Sequence, residues 1–297
     1  MSRIAYVNGR YVPQRDAAVN VEDRGYQFGD GVYEVIHVHD GRFIDTDLHL
    51  ARLARSLREL AIARPMEDAA LLAVLREVVR RNRIREGIVY MQVSRGVARR
   101  DHAFPRDAAP ALVITARHGA AFPRDIDAWT GTAVTVPDIR WGRVDIKTVN
   151  LLPNCLAKQK AREAGAYEAI LIDRDGNVTE GSSTTVWAVD AEGVLRTRHL
   201  DHHILPGCTR AAVIALMEAA GIRFEERGLT EAELRAAREI FLTSATSYVK
   251  PMVRLDGAAV GDGTPGPVAR RLFELFSRHA DGAAHNVSRL ASFSGIG

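Results

Sequence analysis

The hydrophobic period of this chain changes within its first sixty residues, and that change restricts the folds open to it. Residues 4–12 (IAYVNGRYV) alternate apolar and polar side chains around Asn8-Gly9, a pair suited to a two-residue β-turn. VYEVIHVHDGRFI (32–44) repeats the arrangement around Asp40-Gly41. Directly afterwards Leu48, Leu50, Leu53, Leu57 and Leu60 recur at helical spacing, with His49, Arg52 and Arg58 between them. A second helix is expected in MEDAALLAVLREVVRRN (66–82), and GIVYMQVSRG (87–96) and PALVITAR (110–117) read as strands returning to the first sheet. Strands and helices mix without the strict βα alternation of a Rossmann sheet, so the pattern predicts an α+β protein.

Residues 119–131 (GAAFPRDIDAWTG) lose the periodicity and carry Pro123, as a linker between domains would. Beyond them lie a strand in AVTVPDI (133–139), a helix from about Pro153 through Gly165, and two strands in 166–189 about a turn at Asp175-Gly176-Asn177. A helix in TRAAVIALMEAAG (209–221) closes on Gly221, and Thr230 with Glu233 forms a capping box for the next. Late strands follow in 239–257, then a last helix in VARRLFELFSRHA (268–280). The expected organisation is a small N-terminal α/β domain (1–118), a linker (119–131), a larger domain with a mixed, barrel-like sheet (132–284) and a tail (285–297) read as disordered.

A chain of 297 residues with 46% apolar and 26% charged side chains belongs to the globular class and is long enough for two domains. No apolar run approaches the roughly 20 residues a membrane helix needs, and MSRIAYVNGRYV lacks a signal-peptide core; a cytoplasmic, non-membrane protein is expected. Cys155 and Cys208 give neither a disulfide framework nor a cysteine cluster for zinc, and no metal is expected. Lysines and arginines (40) nearly balance acids (37), and no basic stripe is interleaved with aromatics, which argues against nucleic acid.

Four places could carry chemistry. Lys147 sits among Ile146, Val149, Leu151 and Leu152, an apolar setting in which lysine either snorkels or serves as a Schiff-base amine. Glu180, between a strand and the turn Gly181-Ser182-Ser183, is either a loop carboxylate or a partner for a cofactor's ring nitrogen. Leu205-Pro206-Gly207-Cys208-Thr209 precedes a helix starting near Ala211, where free amides favour phosphate, although Thr209 could equally be an N-cap. Arg100 and His102 stand two apart on a loop and could clamp a carboxylate or simply face water. Tyr33, Arg52 and the FGDG turn at 28–31 are ambiguous one by one.

Together the segments DRGYQFGDGVYE (23–34), DIKTVNLLPNCLAKQKA (145–161), VTEGSS (178–183) and FLTSATS (241–247) resemble, in order, the fold-type IV pyridoxal-phosphate enzymes. That family includes branched-chain aminotransferases, D-amino-acid aminotransferases and aminodeoxychorismate lyases. The D-amino-acid branch is the most similar. The resemblance implies ping-pong transfer of an amino group between a D-amino acid and a 2-oxo acid, through pyridoxal 5'-phosphate and pyridoxamine phosphate. It implies that Lys147 bonds the cofactor and moves the substrate's Cα proton, and that Glu180 meets the pyridine nitrogen. Arg52, Gly207, Cys208 and Thr209 are implied at the phosphate, Leu205 against the ring, and Ser182 and Ser183 beside the cofactor. Tyr33, Arg100 and His102 are implied in the α-carboxylate trap, the last two supplied by the partner of a homodimer.

One departure concerns Ala245, which stands where the family pattern has a phosphate-binding threonine; its amide, Ser244 or Thr246 is expected to compensate. A branched-chain L-aminotransferase or an (R)-selective amine aminotransferase on the same fold is the alternative. The Arg-x-His pair at 100–102 argues against the first. An aminodeoxychorismate lyase would lack that pair, and a dead-enzyme scaffold would have lost Lys147 or Glu180, both present.

Overall fold

The computed structural model of this chain describes residues 3–282, and the 285–297 tail lies outside them. Two compact units divide the chain. The first runs from the start to Phe122 and takes in Ile146–Asn150; the second comprises Pro123–Asp145 and the chain from Leu151 onward. The break after Phe122 falls inside the 119–131 stretch. The strip carrying Lys147 joins the first unit, although in linear order it sits amid the second.

The first unit is built on an antiparallel six-stranded sheet in the order β2-β1-β6-β5-β3-β4. Its strands are β1 (Ile4–Val7), β2 (Arg10–Pro13), β3 (Gly31–His39), β4 (Arg42–Phe43), β5 (Gly87–Ser94) and β6 (Ala111–His118). Both turn pairs form as read: Asn8 and Gly9 take φ of 44° and 92°, Asp40 and Gly41 48° and 74°, the left-handed region that a tight hairpin needs. Three helices accompany the sheet: α1 (Arg24–Phe28), α2 (Thr46–Glu59) and α3 (Asp68–Arg81). Leu50, Leu53 and Leu57 of α2 and Leu71, Leu75 and Val78 of α3 close one core with Val32, Ile36, Val38, Val89 and Ile114 of the sheet. Burying such side chains contributes roughly 1.5–3 kcal/mol each.

The second unit carries a mixed ten-stranded sheet. Its elements are β7 (Gly131–Pro137), α4 (Leu152–Glu163), β8 (Glu168–Ile172), β9 (Asn177–Gly181), β10 (Thr185–Val189), β11 (Leu195–Thr197), α5 (Cys208–Ala219), β12 (Phe224–Glu226), β13 (Leu229–Thr230), α6 (Glu231–Arg235), β14 (Glu239–Ser244), β15 (Tyr248–Leu255), β16 (Ala258–Ala259) and α7 (Pro267–Ala280). The order is β12-β11-β10-β14-β15-β7-β8-β9-β13, with β16 on β15, and the pairs β11/β12, β15/β7 and β7/β8 are parallel. The expected pair of strands in 166–189 is three, because after the Gly176 turn the chain bends again at Ser182–Thr184 and starts β10. That second bend places Glu180 and the two serines at a corner. The capping box of α6 forms, with Thr230 and Glu233 satisfying each other's backbone amides. Among the described residues, no helix is long and apolar enough to cross a membrane.

Candidate active-site residues

In the first unit, the strip Ile146–Asn150 lies along β3. Thr148 bridges to Val32, and the Tyr33 amide donates to the Lys147 carbonyl at 3.0 Å. The Lys147 amide in turn donates to Ser56 Oγ at 3.3 Å, and Asn150 Nδ2 donates at 3.2 Å to the carbonyl of Gly29, which closes α1 in the left-handed conformation. These bonds fix where the Lys147 side chain starts. Its Nζ lies 4.2 Å from the centre of the Tyr33 ring, so the two sequence-predicted residues meet. Tyr33 itself stacks on Tyr90 at 5.7 Å, and burial, aided by Tyr33, pushes the Tyr90 hydroxyl up to about 12.

Arg52 projects from α2 to a residue the sequence reading missed. Its Nε and Nη2 each donate at 2.8 Å to the two oxygens of Glu34 on β3, and His49 Nδ1 lies 2.7 Å from Glu34 Oε2. Glu34 is fully buried. Burial alone would raise its carboxyl, but the charge and hydrogen bonds of Arg52, then those of His49, outweigh it and hold the group at about 2. The polar residues between the leucines of α2 therefore form a second buried face with Glu34 at its centre.

Arg100 and His102 are exposed and flank one ring: the Arg100 guanidinium lies 5.1 Å from the centre of Phe28, and the His102 ring 5.4 Å from it. Their loop is tied down from beneath. Arg24 donates to the carbonyls of Asp101 and His102, and its Nε donates at 2.7 Å to Asp30, which Arg95 also grips at 2.8 Å. Burial pushes the Asp30 carboxyl up, yet Arg95 and then Arg24 bring it below its ordinary value.

In the second unit, Glu180 is the penultimate residue of β9 and a buried carboxylate. One oxygen accepts from Arg140, the other from the Leu205 amide at 3.1 Å, so Leu205 and Glu180 are brought together directly. Arg140 is gripped on its far side by Asp138 at 2.7 Å and reaches the Thr179 hydroxyl at 3.2 Å. Burial raises the Glu180 carboxyl above the usual range, and Arg140 limits the rise. Arg140 is raised in turn: burial works against its charge, but Glu180 and Asp138 overcome that.

The helix after Leu205 begins earlier than expected. Gly207 is the N-cap of α5, no side chain caps it, and Thr209 lies within the first turn instead of capping it. A Cβ at Gly207 would come within 3.0 Å of Thr185 Oγ1, so the helix start packs tightly on β10. A helix start of this kind directs backbone amides and the positive end of the dipole outward, an arrangement suited to phosphate.

Ser182 and Ser183 both donate to Glu168, a fully buried carboxylate of β8 that also accepts from Thr184 at 3.3 Å. The Gly-Ser-Ser corner is thus shaped from below by a residue 15 positions away from Ser183. Ser244 Oγ accepts the Ser247 amide at 3.0 Å and so holds the turn containing Ala245, while Trp129 Nε1 donates to the Ser247 carbonyl at 3.0 Å and the Tyr167 hydroxyl pairs with Ser247 Oγ at 2.7 Å. Lys250 is buried beside this turn, its Nζ 3.6 Å from the Trp129 ring centre, and burial lowers its amine to about 8.

Glu34, Arg140, Glu168 and Arg24 are the residues that local reading did not single out. DRGYQFGDGVYE contains Arg24 and Glu34, so the motif string itself held the available signal. Arg140 had none.

Residues 31–255 match the model of the family described as amino-transferase class IV. A D-alanine aminotransferase of Bacillus licheniformis is 43% identical over 266 residues, covering 89% of this chain and 93% of that protein. Among solved structures, the T.th. branched-chain amino acid aminotransferase with pyridoxamine 5'-phosphate superposes with a TM-score of 0.88, at 26% identity, over 99% of each chain. The Escherichia coli branched-chain amino acid aminotransferase gives 0.83 at 26% identity, over 94% of each chain.

Proposed function

The chain belongs to the class IV amino-transferase family, and from that premise we infer that it is a pyridoxal-phosphate-dependent D-amino-acid aminotransferase. The single observation that carries the substrate class is the 43% identity to a D-alanine aminotransferase along nine-tenths of the chain. The branched-chain structures share the fold at 26% identity, a level at which fold persists while substrate choice changes.

The residues present fit the cofactor. An amine (Lys147), a buried carboxylate (Glu180) and an α-helix start free of a side-chain cap (Gly207–Thr209) are the donor set it needs. When bound, pyridoxal phosphate supplies an aldehyde carbon for amines and a ring that accepts electrons from the substrate's Cα. Lys147 would hold the cofactor through its amine, and its Nζ would be the base that takes and returns the substrate's Cα proton. Glu180 would face the ring nitrogen and favour its protonated form, and Arg140 limits the rise that burial imposes on the Glu180 carboxyl. The amides of Cys208 and Thr209, with Arg52 held in place by Glu34, receive the phosphate. Arg100, His102 and Tyr33 receive the substrate carboxylate, which sets the hand of the amino acid. In this reading the enzyme is a cytoplasmic homodimer whose 100–102 loop serves the neighbouring subunit's site.

Two measurements test these assignments. Single half-reactions followed by absorbance are expected to bleach the pyridoxal band rapidly with D-alanine and not with L-leucine; bleaching with L-leucine alone would instead favour the branched-chain reading. Arg140→Met removes the charge that limits Glu180's rise, so the acid limb of kcat/KM should move upward by about 1–3 pH units. An unmoved limb would remove Arg140 from this role.

A further inference from the structure

The far end of β3 carries a second cluster of chemistry-bearing side chains, separate from Tyr33 and Glu34 nearer its start. His37 and His39 are two residues apart on the strand and so project from the same face, while Val38 between them enters the core. Glu86, immediately before β5, completes the group: β3 and β5 pair with Val38 opposite Gly87, which brings the Glu86 carboxylate to the histidines. One ligand atom from each of the three residues lies within 4.8 Å of the others.

We propose that His37, His39 and Glu86 form a binding site for a divalent zinc-class cation. Two imidazoles and one carboxylate are a recognised zinc donor set, with a fourth position left for water. At zinc–ligand bonds of about 2.1 Å, tetrahedral donors stand about 3.4 Å apart, so from within 4.8 Å of one another the three would have to draw together around the ion. Both histidines are almost fully buried, 4% and 5% exposed, which shields the ion from bulk water.

The Asp40 amide holds the carboxylate by donating to Glu86 Oε1 at 3.0 Å; His39 Nδ1 lies 3.0 Å from Oε1 and 3.1 Å from Oε2, so a bound cation would replace the proton these two groups share. The backbone beneath it is fixed too, because the Gly119 amide donates to the Glu86 carbonyl at 3.1 Å. Gly87 has φ of +155°, and a Cβ there would strike the Arg117 carbonyl, so only glycine lets β5 begin this close to β6. The Phe122 ring, 5.4 Å from His39 and 6.5 Å from His37, lies against both imidazoles. A cation here would tie the end of β3 to the start of β5 and stabilise that edge of the first unit.

The experiment uses the pyridoxal-phosphate-loaded enzyme, cleared of metal by a chelator and dialysed against zinc chloride. The exposed run His199, His202 and His203 with Asp201 is the competing place for the ion. One zinc per chain is expected, its affinity lowered at least about tenfold by His39→Gln and by Glu86→Gln and unchanged when His199, His202 and His203 are all glutamine. X-ray absorption on the zinc-loaded wild type is expected to show two imidazoles and one carboxylate, a readout that does not depend on how well a variant folds. Absence of bound zinc in the wild type, an absorption spectrum without two imidazoles, or loss of zinc from the 199/202/203 variant alone would overturn the proposal.

Discussion

Replacing Lys147 with alanine leaves a folded protein that transaminates D-alanine at least about 10³–10⁴-fold more slowly, the scale expected when one group is both the covalent anchor and the proton carrier. The effect should be confined to chemistry. The backbone of the 146–150 strip is held by the Tyr33, Ser56 and Gly29 bonds, none of which uses the lysine side chain, and that side chain is only half-buried. Thermal unfolding should therefore move little while kcat collapses. Added small primary amines should restore part of the rate, since they can carry the same proton. Near-normal turnover in the variant would remove Lys147 from the mechanism, and a large drop in stability would show that its contact with Tyr33 is structural.

Replacing Glu34 with glutamine produces the largest loss of stability, about 3–5 kcal/mol, because it leaves the Arg52 charge buried without its counter-ion. The pH dependence follows from the same pair. The carboxyl titrates at about 2 in the folded protein against an ordinary 4.5, so its contribution is complete above pH 4.5 and is lost as pH falls from 4.5 towards 2. Urea unfolding should show the wild type losing stability through that window, and the variant, already depleted, losing much less there. A Glu34→Gln protein within about 1 kcal/mol of wild type would mean that Arg52 finds another partner or water. Loss of Glu34 should also weaken cofactor retention, since the arginine assigned to the phosphate would no longer be held at two nitrogens.

Those residues also mark the boundary of what the sequence discloses. The hairpins at Asn8-Gly9 and Asp40-Gly41, the leucine stripe of α2 and the capping box of α6 were legible because their signals are local, a few residues of fixed spacing. His49 and Arg52 read as a polar face of α2. Their burial depends on Glu34, 18 positions before Arg52, which no periodicity along the helix can reveal. Arg140 and Glu180 are 40 residues apart and Ser183 and Glu168 are 15 apart, and both pairs are made by strand order. The third strand after Thr184 was hidden because Gly-Ser-Ser-Thr reads as one long turn. His37 and His39 share a face of β3, but Glu86 stands before another strand, and strand pairing brings it to them. Family resemblance named Lys147, Tyr33 and Glu180 through whole motif strings, while the groups that orient them came from tertiary packing.

The strip Ile146–Asn150 has a consequence for how the molecule is made. Its contacts belong to the first unit and its flanks to the second, so the polypeptide passes between them three times, after Phe122, after Asp145 and after Asn150. Neither unit is a continuous stretch of gene. On the ribosome, the first unit stays without the segment that pairs with β3 until residue 150 has emerged, by which time β7 of the second unit has already been synthesised. Truncating the gene at the 119–131 stretch would therefore yield not an autonomous first domain but one with an unpaired stretch of β3 and without Lys147.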